Sequence, residues 1–163
     1  MSYIPFDKLP DSSRLWIFAA GHALSEAESE SLEREMNAFC HTWVAHNEPV
    51  TGSAKMMYNQ FLFVAADERT FPTGCSTDEM FRRVRMLGET YGVEFFGMPR
   101  VQYRDNGSIK SMGRFEFGDI AKNISGDVTV FDNTLTSLKE FREGKWELPA
   151  KKTWHAKAFE FQN

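Results

Sequence analysis

Two cysteines and four histidines are the side chains in this 163-residue chain best suited to nucleophilic or metal chemistry. Cys75 is the first candidate. The run Gly74-Cys75-Ser76-Thr77-Asp78-Glu79 reads as a loop ending in a capping box, Ser76-x-x-Glu79, that opens a helix. A thiol beside a helix N-terminus sees backbone N–H groups that favour its thiolate, and the amides of Ser76 and Thr77 would suit an anionic group. The helix terminus alone is a modest activator, so a working nucleophile needs a second partner such as an imidazole. His46 and His155 are the candidate partners, and Asp67, closing an apolar run, is a candidate base. Each has a plainer reading beside the chemical one. Cys75 at N′ and Met80 at N4 would form a hydrophobic staple. His46 near the end of a helix would be favoured by the dipole. His155 next to Trp154 could be the polar edge of a packed tail, and Asp67 a solvated strand terminus.

Metal binding is not expected. No H-x-x-x-H, C-x-x-C or H-E-x-x-H spacing occurs, and His41 and His46 are five apart, on different helix faces. Cys40 falls on an apolar stripe and reads as a small core residue. No cofactor motif is present.

The elements that must position these residues follow from periodicity. Arg14 to Ala20 reads as a first strand. Ser25 and Glu28 form a capping box, after which Leu32, Met36, Phe39, Cys40, Trp43 and Val44 line one helical face opposed by Glu33, Arg34 and Asn37. Ser53 to Tyr58 and Phe61 to Ala66 read as a hairpin, the second strand apolar throughout and therefore central. Ser76 to Tyr91 is a second amphipathic helix with Met80, Val84, Leu87 and Tyr91 inward, and Gly92 suits its C′ position. Val101 to Arg104 and Ser108 to Met112 flank Asn106-Gly107, a type I′ turn pair. The order β-α-β-β-α-β predicts an α+β, ferredoxin-like split βαβ core over residues 1–112. It would have one four-stranded antiparallel sheet with both helices on one face. Residues 113–163 read as an extension packing on that core within a single domain. Within the extension, 115–124 and 137–142 read as short helices and 127–131 as a strand. The stretch from Trp146 to His155 reads as an extended aromatic tail.

Composition narrows the function classes. Apolar residues make up 42% and charged residues 26%, the balance of a folded globular chain. The net charge of −4 gives no general pull toward nucleic acid or anionic membrane. No apolar run approaches the roughly 18 residues of a membrane span, and the first residues show no basic and apolar leader pattern. Two cysteines make no disulfide framework, so the expected compartment is a reducing cytoplasm. Fifteen Phe and four Trp imply an aromatic core or an apolar contact surface. A ferredoxin-like sheet also raises RNA recognition, with Phe61 and Phe63 on one face. The run lacks the K/R-G-F/Y-G/A-F pattern, however, and although Arg82, Arg83, Arg85, Arg100 and Arg104 could make a local basic patch, a solvated helix face explains the first three equally well.

Five blocks together resemble a family of small, uncharacterised bacterial proteins known mostly from Bacteroidetes genomes. They are Ser13-Arg14-Leu15-Trp16-Ile17, Trp43-Val44-Ala45-His46, Gly74-Cys75-Ser76-Thr77-Asp78, Val130-Phe131-Asp132-Asn133, and Trp146-Glu147-Leu148-Pro149 with Trp154-His155. The resemblance runs over nearly the whole chain and implies a shared fold. It carries over no catalytic residue. Members often bear the label "ABC transporter ATPase". Hydrolysis by a P-loop would need G-x-x-x-x-G-K-[ST]. The one Gly-Lys pair, Gly144-Lys145, has Lys139 where the first Gly belongs and Trp146 where Ser or Thr belongs, so ATP is not expected. The residues point to a cytoplasmic, non-catalytic binding or protein-interaction module, with homodimerisation through the open sheet face as one form of it. A small thiol-dependent enzyme using Cys75 is the alternative, and an RNA-binding module a more remote one.

Overall fold

The computed structural model describes residues 3–70 and 74–162; Met1 and Ser2, part of the leader reading, lie outside the described residues. The chain is α+β. Strand β1 (Arg14–Ala19) leads to helix α1 (Glu26–Thr42), then a small hairpin of β2 (Val44–Ala45) and β3 (Glu48–Pro49). Strands β4 (Gly52–Met57) and β5 (Phe61–Ala66) follow, then α2 (Gly74–Tyr91). The remainder is β6 (Arg100–Asp105), β7 (Ser108–Gly113), α3 (Arg114–Ala121), β8 (Thr129–Phe131), α4 (Leu138–Arg142), β9 (Glu147–Pro149) and α5 (His155–Ala158).

Local sequence accounts for most of these boundaries. The Ser25 hydroxyl accepts from the Glu28 amide at 3.1 Å and the Glu28 carboxylate accepts from the Ser25 amide at 3.2 Å, closing the expected capping box. Tyr58 and Asn59 turn the β4–β5 hairpin with φ of 54° and 56°. Asn106 and Gly107, at φ 50° and 83°, turn the β6–β7 hairpin as their types predict. Gly52 is required by a close approach: a Cβ there would sit 2.8 Å from the Ala65 carbonyl oxygen.

The strand order is β1-β5-β4, all antiparallel, with fully buried β5 central as expected. Strand alternation divides this sheet into two faces. Leu62, Val64 and Ala66 face α1 and α2, meeting Leu32, Met36, Cys40, Met80 and Val84, so both helices do cover one face. Glu33 and Asn37, the polar side of α1, do more than face solvent. The Glu33 carboxylate accepts from the Met56 amide at 2.7 Å. The Asn37 carboxamide accepts from the Ala54 amide at 2.8 Å and donates to the Ala54 carbonyl at 3.1 Å. These bonds satisfy the outer groups of edge strand β4.

The expected fourth strand corrects the sequence reading. Residues 100–105 do not join β1-β5-β4; they form a second sheet of order β7-β6-β8-β9. The ferredoxin-like arrangement of four strands in one sheet is therefore not the architecture here. The physical reason is that β6 finds full-length pairing with β7 through its tight turn and further pairing with β8, which draws β9 alongside. The second sheet thus takes strands from both sides of residue 113, and the tail read as extended contains β9.

The far face of the first sheet is covered by the same region. Phe61 and Phe63 are buried beneath Phe131, Leu135, Leu138 and Trp146. The Trp146 ring lies 4.9 Å, centroid to centroid, from each of Phe61, Phe63 and Phe131. A clasp reinforces the junction. Tyr58 Oη donates to Glu147 at 2.7 Å, Arg104 Nε donates to Glu147 at 2.8 Å, and the Arg104 guanidinium lies over the Tyr58 ring at 4.8 Å. Burial would raise the Glu147 carboxyl, but Arg104 and Tyr58 outweigh it and hold the group below its ordinary range. A third cluster packs Val101, Tyr103, Phe117, Ala121, Val130 and Ala150 beneath α3.

Candidate functional site

The residues singled out from the sequence are not brought together. Helix α2 begins at Gly74, so Ser76 lies inside its first turn and is not the N-cap; the expected capping box and staple are corrected accordingly. Cys75 is exposed, and among the described residues it makes no hydrogen bond to an imidazole or carboxylate. Ser76 is buried and its carbonyl accepts the Trp43 indole N–H at 3.1 Å, which ties the start of α2 to the end of α1; Thr77 is half-buried. His46 is also displaced from its expected place. Helix α1 ends at Thr42, and His46 sits exposed at φ 51° in the turn between β2 and β3.

Asp67 is buried and committed. Its carboxylate accepts from Arg69 Nη2 at 2.6 Å and from the Arg69 amide at 3.0 Å, and Arg69 holds it below the usual carboxylate range. It braces the chain leaving β5 and is a weaker base than an ordinary carboxylate. His155 is 1% exposed, stacked on Trp154 at 3.9 Å with Thr153 Oγ1 2.7 Å from its Nδ1. Burial pushes its imidazole down to about 4, against a smaller opposing pull from Asp132. It is a neutral packing residue of the C-terminal segment. Cys40 lies in the core with its thiol pushed up to about 12 by burial. Among the described residues, no group of three or more His, Cys, Asp or Glu is placed to hold a metal ion, and no helix is long and apolar enough to cross a membrane.

The arrangement with the most chemical content lies where the two sheets meet. Pairing between β6 and β8 consists of Tyr103 opposite Val130, and the chain beyond β8 continues through Asp132 and Asn133 without further strand pairing to β6. A cleft of about 540 Å³ opens there, between the segment that follows β1 (Gly21, His22), the α2–β6 connection (Glu94) and β6 (Arg100, Gln102) with Asn133. By alternation Arg100, Gln102 and Arg104 share the face of β6 opposite Val101 and Tyr103.

Gln102, 3% exposed, is the centre of a side-chain network. Trp146 Nε1 donates to Asn133 Oδ1 at 2.9 Å. Asn133 Nδ2 donates to Gln102 Oε1 at 2.8 Å. Gln102 Nε2 donates to Ser111 Oγ at 3.2 Å. Ser111 lies directly opposite Gln102 in the β6–β7 register, and it also receives Arg100 Nε at 2.8 Å on its hydroxyl and Arg100 Nη2 at 2.8 Å on its carbonyl. The Arg100 guanidinium is thereby held against β7. Among the described residues it makes no ion pair, unlike Arg104, Arg69 and Arg142.

Sequence reasoning passed over this cleft. Its signal was a glutamine embedded between the β-forming residues Val101 and Tyr103, and an Asp-Asn pair directly after a buried strand. Both are polar insertions that a purely packing role would not require. No family model, no curated protein and no solved structure matches the chain.

Proposed function

We propose that the chain is a cytoplasmic, non-catalytic binding module whose ligand site is the cleft between the two sheets. The observation that carries this reading is that Gln102 and Asn133, which line one wall, are held by hydrogen bonds to Ser111 and Trp146 behind them. A concave site with a few convergent, rigidly held polar groups is the usual form of a small-molecule site. Two free thiols accord with a reducing compartment. The half of the molecule that keeps the β1-β5-β4 order with α1 and α2 on one face supports reading it as a split βαβ unit whose edge position beside β1 is unfilled by β6.

The thiol-enzyme alternative gains no support from geometry, since Cys75 is exposed without a bonded imidazole. Phe61 and Phe63 are fully buried, so they offer no platform for bases, and the same cover occupies the face through which a sheet-to-sheet dimer would form.

The test is a thermal-shift screen of the full chain against polar metabolite-sized compounds, repeated on Gly21→Val. A Cβ at Gly21 lies 3.7 Å from Arg100 Nε, so a branched side chain there intrudes on the cleft. Compounds that raise Tm in the parent and not in Gly21→Val support the reading. A screen with no binder at about millimolar affinity or better overturns it.

A further inference from the structure

We propose that the cleft is built for a small anion, a molecule bearing a carboxylate or phosphate group, with Arg100 as its charge partner and the Gln102–Asn133 pair as neutral donors. This rests on the reading of the cleft as the ligand site. The hydrogen bonds of the network can run in one direction only. The Trp146 indole can only donate, so the Asn133 atom facing it is the carbonyl oxygen. The Asn133 nitrogen therefore faces Gln102, whose facing atom must be its oxygen. That places the Gln102 nitrogen on Ser111 Oγ, which also accepts from the donor-only guanidinium of Arg100. One fixed donor at Trp146 and another at Arg100 thus set the sense of every bond between them.

The consequence concerns what remains. Each carboxamide oxygen has one of its two lone pairs taken by a donor, each carboxamide nitrogen keeps one N–H, and Arg100, the charged member, keeps Nη1. Gln102, Asn133 and Arg100 all line the cleft, so this wall offers donors, one of them charged. His22 also lines the opening, with Nδ1 3.1 Å from the Ala23 carbonyl; a carbonyl only accepts, so Nδ1 carries a proton there, and among the described residues Nε2 makes no hydrogen bond. Glu94 opposes the assignment in sign. It lies on the exposed α2–β6 connection, its carboxylate folded against Gly97. Donors converging with an arginine already oriented by a neighbouring strand match the lone pairs of an oxyanion and leave a cation or an apolar group poorly served.

The test uses 15N-labelled full-length protein titrated at constant ionic strength with inorganic phosphate, with succinate and with ethylenediamine. Saturable movement of the Gln102 and Asn133 side-chain amide signals and of Arg100 Nε is expected with phosphate or succinate, and the stronger of the two identifies the oxyanion. Arg100→Gln should weaken that binding by about tenfold or more, Arg100→Lys by less, and Glu94→Gln should strengthen it. Arg100 is exposed, and amide spectra of each variant verify its fold. Movement with ethylenediamine but neither anion, or anion binding unchanged in Arg100→Gln, overturns the anion assignment. If neutral compounds from the screen still shift these amides, the cleft reading survives that failure; if nothing shifts them, both fall.

Discussion

On one face of the β1-β5-β4 sheet, Leu62, Val64 and Ala66 meet the aliphatic and sulfur side chains of α1 and α2. On the other, Phe61 and Phe63 meet Phe131 and Trp146 from far along the chain. The helical face is assembled by amphipathic stripes that declare themselves by period, and its polar residues finish their work by sealing β4. The aromatic face is assembled by tertiary contact between short elements. Its one indole N–H continues into the Asn133–Gln102 network at the cleft. The helical half thus acts as a scaffold, while the aromatic half couples packing to a polar site.

The sharpest way to break this comparison is Trp146→Ala. It removes a nearly buried ring from five aromatic contacts and orphans Asn133, so a loss of about 3–5 kcal/mol is expected by denaturant unfolding. A much smaller loss would make the aromatic face a dispensable cover. Leu32→Ala, on the helical face, should cost about 3 kcal/mol. The two sites share no partner across the sheet, so the double variant should be additive within about 0.5 kcal/mol, and a larger coupling term would deny that the faces are independent. Asn133→Ala leaves the Trp146 N–H and the Gln102 oxygen unpaired and should cost about 1–3 kcal/mol, with loss of cleft binding beyond the loss of stability.

A further effect is a pH dependence that arises in the C-terminal segment. The folded His155 imidazole sits at about 4 against an ordinary 6.5. Between those values the unfolded chain binds a proton that the folded chain does not, so stability falls as pH drops from 6.5 toward 4. His155→Gln should flatten that slope in urea titrations at stepped pH. Asp67 acts below it: its depressed carboxyl contributes stability above the ordinary carboxylate range that is lost as pH falls further, and Asp67→Asn should remove that part of the acid limb.

Much of the helical half was legible in the chain. The capping box at Ser25, the stripe from Leu32 to Cys40 and the hairpin around Asn59 are local signals, and each has its counterpart in the structure. The start of α2 was misplaced because Ser76-x-x-Glu79 imitates a cap while the helix already runs from Gly74. The β6–β7 hairpin was legible in Asn106-Gly107, but the two-sheet division was not, since β6 carries no mark that it prefers β8 to β1. That preference depends on a pairing between segments distant in sequence. The cleft escaped for the same reason: Gln102, Asn133 and Trp146 become a site only when three separate segments converge.

The bonds from Glu33 and Asn37 to β4 have a consequence for how this molecule behaves in a crowd. A strand margin whose amides and carbonyls already hold side chains of its own helix offers no template to a passing chain. Growth of the first sheet by strand addition at β4 is blocked by α1 itself, so loosening that helix should show first as self-association, before any loss of the aromatic half.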